Sequence, residues 1–207
     1  MPQTPQLILD SIAFERDDCL LFSGICLSLE SGDVLQIEGP NGVGKTTLLR
    51  ILSTALMPTA GKLLWQGSDV ARHRHLLFLG HMPGLKQSLS PTENLVWWRR
   101  IHRDHSPLKN EEILGSLGLC GYEDIPCYAL SAGQQRRAVL ARLLVTEAPL
   151  WILDEPFTAI DKQGVADLEA LLIAHARRGG MAVLSTHQDL GIANVRRFPL
   201  VASAEAV

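Results

Sequence analysis

Little in these 207 residues points toward nucleic acid, a membrane span or export. Lys and Arg together number 19 against 22 Asp and Glu, a net charge of −3. The basic excess of a nucleic-acid-binding protein is therefore missing. No run of about 18 apolar residues occurs, so no segment reads as a membrane-spanning helix. The opening MPQTPQLILD has no basic n-region and no long apolar h-region, so it does not read as a signal peptide, and a cytosolic chain is expected. Cysteine is sparse: Cys19, Cys26, Cys120 and Cys127 form no C-x-x-C pair, which argues against structural zinc and predicts free thiols. His102 and His105 fall close together on an expected helix, and are read as a solvated face rather than a ligand pair. There is no internal repeat, no low-complexity tract and no heptad pattern. Hydrophobic residues make up 46% of the chain, enough for a substantial core in one domain, with or without a subdomain.

Against these absences stands one stretch, Gly39-Pro40-Asn41-Gly42-Val43-Gly44-Lys45-Thr46, which fits G-x-x-x-x-G-K-[ST]. Its flanks suit the chemistry. Val34–Glu38 (VLQIE) reads as a buried strand, and Thr47–Leu56 as a helix stopped by Pro58. Glycines let backbone N–H groups approach an anion closely, and a helix start adds a partial positive charge. In such a loop Lys45 reaches the β- and γ-phosphates of a nucleoside triphosphate, and Thr46 offers its hydroxyl to Mg²⁺.

The rest of the chain predicts a layered α/β arrangement. Residues 7–14 and 25–29 alternate as strands, and Glu30-Ser31-Gly32-Asp33 reads as a hairpin turn leading into the loop strand. Lys62–Gln66, bounded by Gly61 and Gly67, and Leu76–Leu79 read as further strands. Ser90-Pro91-Thr92-Glu93 is a capping box that opens a helix to about Arg103. A loop containing Pro107 follows, then a helix from Asn110 to Leu117. Ser131 opens another helix, which Pro149 ends. LWIL (150–153) and MAVLS (181–185) are continuous apolar runs, as in strands buried on both faces of a parallel sheet, with a helix at Lys162–Arg178 between them.

Three groups carry further chemistry. Asp154-Glu155 follows an apolar strand. At the carboxyl end of a parallel strand, Asp154 can hold Mg²⁺ through water, and Glu155 can orient or deprotonate an attacking water. His187, just past the next strand, can bond the γ-phosphate and that water. Ser131-Ala132-Gly133-Gln134 is a second anion-binding helix start, far from the first in sequence. One nucleotide uses both only if two copies of the chain sandwich it.

In this order, the P-loop, Leu130-Ser131-Ala132-Gly133-Gln134, LWILDE, Asp161 and His187 resemble the ATPase subunit of ABC transporters over nearly the whole chain. The resemblance implies an α/β P-loop NTPase fold: a three-layer core, an antiparallel β subdomain and an all-helical subdomain. Residues 1–207 would form one ATP-binding domain, with core and β subdomain at about 1–85 and 148–207, and the helical subdomain at about 86–147. The implied cofactors are ATP and Mg²⁺, the latter held at Thr46 and Asp154. The nucleotide contacts are Gly39, Pro40, Asn41, Gly42, Val43, Gly44, Lys45, Thr46 and Thr47, with Ser131, Gly133 and Gln134 supplied by the other copy of a homodimer. Lys45, Glu155 and His187 are the implied catalytic residues, and Asp161 matches the D-loop that communicates across the dimer.

A narrower likeness lies in Leu64-Trp65-Gln66-Gly67, Gly80-His81-x-Pro83-Gly84, Glu123-Asp124-Ile125-Pro126, Leu130–Arg137 and Trp151–Asp161. These are similar to the branch that serves bacterial cytochrome c maturation, the haem-exporter type. That likeness alone implies the membrane subunit CcmB as partner, with CcmC, CcmD and the haem chaperone CcmE nearby. It also implies a peripheral place on the cytoplasmic face of the inner membrane, and a cycle that exports haem or releases the loaded chaperone. No nucleic-acid partner is expected. The rival readings are a transporter ATPase for another substrate, a soluble ABC ATPase acting on nucleic acid, and a monomeric small-molecule kinase with a chance match to the signature motif. Two positions depart from the family pattern. Arg16 stands where an aromatic usually stacks on adenine, leaving Arg16 or Phe14 as the contact. Met82 stands where the Q-loop has glutamine, and the nearest glutamine downstream is Gln87.

Overall fold

The computed structural model describes residues 6–66, 76–82, 84–102 and 106–201. The first five residues, Gly67, Pro83, Arg103 and His105, all used in the sequence reading, lie outside the described residues. In chain order the elements are β1 (Gln6–Arg16), β2 (Cys19–Glu30), β3 (Val34–Glu38), α1 (Lys45–Leu52), β4 (Ala60–Gln66), β5 (Leu76–Leu79), α2 (Pro91–His102), α3 (Asn110–Ser116), α4 (Ala132–Val145), β6 (Leu150–Asp154), α5 (Lys162–Arg177), β7 (Met181–Ser185) and β8 (Arg196–Pro199). Two compact units divide them. One holds the chain up to Phe78, Ala148–Glu155 and everything from Leu172 on; the other holds Leu79–Glu147 and Pro156–Leu171. Among the described residues no helix is long and apolar enough to cross a membrane.

The first unit contains two sheets, one antiparallel in the order β2-β1-β4 and one of five strands in the order β5-β6-β7-β3-β8. The tight turn of the β1–β2 hairpin is Asp17-Asp18, both left-handed (φ 52° and 60°), a conformation that short Asp side chains tolerate. The expected hairpin at Glu30–Asp33 is not one. Its turn closes, with the Asp33 N–H donating to the Glu30 carbonyl at 3.0 Å, but it hands the chain from the antiparallel sheet to β3 in the other sheet. The run LSLE-SGD-VLQIE carries turn chemistry but no information on which strands pair.

β3 pairs in parallel with β7 and β8, and β7 with β6. β6 and β7 are buried at every position, as their unbroken apolar runs require. β8 carries no apolar signal: it is a short strand, Arg-Arg-Phe-Pro, at the edge of its sheet, where charge and proline are tolerated. Helix α1 stops at Leu52, short of the expected Leu56. There Ser53 Oγ donates to the Arg50 carbonyl at 2.9 Å, and Thr54 turns left-handed at φ 61°. Leu48, Leu49, Ile51 and Leu52 of α1 join Leu35, Ile37, Ile152 and Val183 of the five-stranded sheet and Leu7, Leu9 and Phe22 of the antiparallel one in a single core. Each such side chain contributes roughly 1.5–3 kcal/mol of burial free energy. This core fixes the loop between β3 and α1.

The second unit is helical among its described residues, apart from Leu79 at its start. The capping box at α2 forms as read: the Ser90 N–H donates to Glu93 Oε2 at 2.9 Å and the Glu93 N–H to Ser90 Oγ at 3.2 Å. Buried Asn94 then ties down the segment before the helix, accepting the Lys86 N–H at 2.9 Å and donating to the Lys86, Leu89 and Ser90 carbonyls.

Candidate nucleotide site

At the loop, Gly44 is the N-cap of α1 with φ 105°, and a Cβ there would lie 2.9 Å from the Phe22 ring. Only glycine meets both demands. α1 has no side-chain cap and no acidic residue in its first turn, so its first N–H groups are left for an outside acceptor. Lys45 is buried at 8% exposure, and its ammonium donates to the Gly39 and Pro40 carbonyls at 2.7 and 3.1 Å.

The second half of the site meets the first at the end of β6. Thr46 Oγ1 donates to Asp154 Oδ2 at 2.9 Å, and Ser185 Oγ donates to Asp154 Oδ1 at 2.7 Å. Asp154 is 2% exposed. Glu155 follows in a left-handed conformation (φ 48°), its N–H shared between the Ser185 carbonyl and Ser185 Oγ, both at 3.1 Å. A left-handed backbone at a residue other than glycine is strained, and strain of this kind clusters at working sites. His187 Nε2 lies 3.7 Å from Glu155 Oε1 and 2.9 Å from Asn41 Oδ1. The chain thus brings together Asn41, Lys45, Thr46, Asp154, Glu155 and His187 within one unit.

Two neighbours escaped the sequence reading. Ser185, the last residue of an apolar strand, holds both Asp154 and Glu155. Gln36 is 3% exposed in the middle of β3, and its Nε2 donates to the Thr186 and Gln188 carbonyls at 3.4 and 3.2 Å. It pins the residues on either side of His187. The signal for Gln36 was present: a lone amide inside VLQIE has to find partners when that strand is buried.

The Ser131 segment lies in the second unit. The Gln134 N–H donates to Ser131 Oγ at 3.2 Å and the Ser131 N–H to Gln134 Oε1 at 2.9 Å, a full capping box. Gly133 is tied to its own chain as well: a Cβ there would lie 2.7 Å from the Ala159 carbonyl oxygen. Asp161 caps α5 through the Gly164 N–H at 2.9 Å and pairs with Arg137. That Gly164 N–H, followed by the nearby Arg137 charge, holds the Asp161 carboxyl below its ordinary range.

The two departures also have places. Arg16 is exposed at the end of β1, paired with Asp17 at 3.3 Å, while Phe14 packs inward on Phe22 at 6.4 Å between ring centroids. Met82 is 79% exposed. Gln87 bonds the Gln135 side chain at 3.3 Å, and its carbonyl accepts the Tyr128 N–H.

Fold and site together define a P-loop nucleotide triphosphatase. The sequence profile of the ABC transporter family matches residues 22–158. The cytochrome c biogenesis ATP-binding export protein CcmA of Yersinia pseudotuberculosis is 49% identical over 197 residues, covering 92% of this chain and 90% of that protein. The CcmA of Hahella chejuensis is 50% identical over 204 residues, covering 96% and 97%. The CcmA of Pseudomonas putida strain GB-1 is 52% identical over 184 residues, covering 86% and 88%. Among solved structures, a bacterial Atm1-family ABC exporter with ATP bound superposes with a TM-score of 0.80 at 21% identity, over 97% of this chain and 38% of that one. An ATP-binding cassette in a dimeric post-hydrolysis state, bound to ADP and Pi, gives 0.75 at 23%, over 88% of each. At those identities the structures speak for the fold alone. The chain belongs to the ABC transporter family of ATPases, in the branch of the cytochrome c biogenesis ATP-binding export proteins.

Proposed function

We propose that this chain is the ATP-hydrolysing subunit of an ABC transporter complex in cytochrome c biogenesis, and that its hydrolysis drives haem export or release of a haem-loaded chaperone. The carrying observation is the Thr46–Asp154–Ser185 network beside Glu155 and His187, found in a chain about half identical to CcmA proteins over nine-tenths of its length. All 207 residues would serve as one ATP-binding domain, its core and β subdomain at about 1–85 and 148–207 and its helical subdomain at about 86–147.

The backbone N–H groups of Asn41 to Thr47 hold the phosphates, and the Lys45 ammonium exchanges its carbonyl partners for β- and γ-oxygens. Thr46 Oγ1 and Asp154 are hard oxygen donors 2.9 Å apart, a donor set that fits Mg²⁺. When bound, Mg²⁺ neutralises charge on the phosphate oxygens. Glu155 accepts a proton from the attacking water, and His187, braced by Asn41 and by the segment Gln36 pins, bonds the γ-phosphate. Arg16 is the exposed candidate for adenine, since Phe14 packs inward.

Ser131, Gly133 and Gln134 would serve the nucleotide of a second copy, giving a head-to-tail homodimer. CcmB is the expected membrane partner, with CcmC, CcmD and CcmE nearby, at the cytoplasmic face of the inner membrane. A transporter for another cargo is distinguished by what co-purifies from membranes. The sandwich is tested by mixing. Lys45→Ala and Ser131→Arg chains should each be inactive, and their mixture should recover part of the activity, because one of two sites in a mixed dimer is intact. A fully active Ser131→Arg monomer would overturn the reading.

A further inference from the structure

Asp161 makes two bonds that pull on different elements. Its Oδ1 takes the Gly164 N–H of α5 and lies 2.5 Å from Arg137 Nη2 on α4. The same guanidinium donates through Nη1 to the Leu117 carbonyl at the end of α3, at 2.9 Å. Gly118 makes room for it, since a Cβ there would run into Nη1. A second close approach involves the same loop, where a Cβ on Gly133 would lie 2.7 Å from the Ala159 carbonyl oxygen. One arginine therefore links α3, α4 and the start of α5 within the second unit. The Asp161 side chain is 66% exposed. An exposed ion pair adds little to stability, so the fork contributes geometry rather than energy.

We propose that Arg137 is a positioning residue: it clasps Asp161 so that the loop 156–161 and the helix start at Ser131 meet a second copy of the chain as one rigid piece. The proposal rests on the composite-site reading above. Lysine cannot replace the fork, because a single ammonium on a flexible stem does not hold both the Asp161 carboxylate and the Leu117 carbonyl in fixed directions.

The test measures steady-state ATP hydrolysis by the full chain, with kcat and KM separated and the oligomeric state read on a sizing column. Arg137→Met should lower kcat about tenfold, the size of one lost charge-assisted hydrogen bond, and leave KM within about twofold, because the P-loop contacts are untouched. Arg137→Lys should recover part of the loss. Asp161→Asn keeps an oxygen for the Gly164 N–H and leaves the Arg137 side chain in place, so it carries the same test with less disturbance of the fold. It should match Arg137→Met, and the double variant should be no worse than either single one. A kcat within twofold of wild type, or losses that multiply in the double variant, overturns the clasp while the wild-type chain turns over as a dimer. Turnover by wild-type protein that stays monomeric on a sizing column with ATP bound overturns the composite site, and the clasp with it.

Discussion

Removing the Ser185 hydroxyl should weaken the protein out of proportion to one oxygen atom. Ser185 is fully buried and its Oγ donates to Asp154 Oδ1 at 2.7 Å. Ser185→Ala deletes a bond to a buried carboxylate, and bonds of that kind are worth about 1.5–3 kcal/mol. The Glu155 N–H loses less, because it keeps the Ser185 carbonyl at 3.1 Å. The space left by a hydroxyl is smaller than a methyl group and adds well under about 1 kcal/mol. The net expectation is a loss of about 2 kcal/mol, a large share of the roughly 5–15 kcal/mol available to a domain. In a chain of this size that is a fall of about 4–8 °C in Tm. Urea unfolding of nucleotide-free protein measures it. In an Asp154→Asn background the same substitution should cost about half as much, since a neutral acceptor makes the weaker bond. A loss below about 0.5 kcal/mol, or equal losses in both backgrounds, would refute the view that Ser185 works by holding the Asp154 carboxylate.

Glu155→Gln should bind Mg-ATP yet hydrolyse it at least about 100-fold more slowly, with an ATP-bound dimer accumulating on a sizing column; near-normal turnover removes Glu155 from the base role. Met82→Gln should raise partner-stimulated ATPase several-fold at unchanged ATP affinity, because an amide oxygen suits Mg²⁺ or water where a thioether does not; equal stimulated rates make Met82 a neutral filler. His175 stacks on Trp151 at 3.8 Å, with Nε2 3.2 Å from the Pro149 and Met181 carbonyls, and burial, aided by the Arg178 charge, lowers its pKa to about 4 from 6.5. The unfolded chain takes up the proton first, so stability is full above about pH 6.5 and falls by about 3 kcal/mol as pH drops toward 4. His175→Phe, which keeps the stack without a titrating ring, should flatten that window in acid-unfolding curves, and an unchanged slope would assign the loss to other groups.

The strands and helices that carry the site were legible because each has a strong local signature. LWIL and MAVLS could only be buried strands, and the glycine-rich loop could only join a strand to a helix. Pairing was less legible. The Glu30–Asp33 turn looks the same whether its strands pair or part, since the partner of β3 is β7, far along the chain. β8 was invisible because an edge strand needs no apolar pattern. At the site, the motif residues showed themselves by type and spacing, whereas Ser185 and Gln36 act through hydrogen bonds made only after distant segments meet. Sequence spacing pointed to two helix starts as candidates for binding an anion, but not to the Arg137 fork that joins the second of them to Asp161.

Those two helix starts differ from the structural ones in a way that bears on function. α2 carries Glu93 in its first turn and α3 carries Glu111 and Glu112, while α5 is capped by Asp161. An acid near a helix start stabilises it by about 0.3–1 kcal/mol through the helix dipole. α1 and α4 have none in the first turn. α1 goes further, with no side-chain cap. α4 is the sharper case, because its capping box uses the neutral Gln134 where glutamate would make the same two bonds and add the dipole term. A carboxylate there would hold the Ser131 N–H more tightly and repel a phosphate approaching the same N–H groups. The chain forgoes a fraction of a kcal/mol at the two helix starts where the proposed composite site needs an anion, and takes it at α2, α3 and α5, whose starts are assigned no anion.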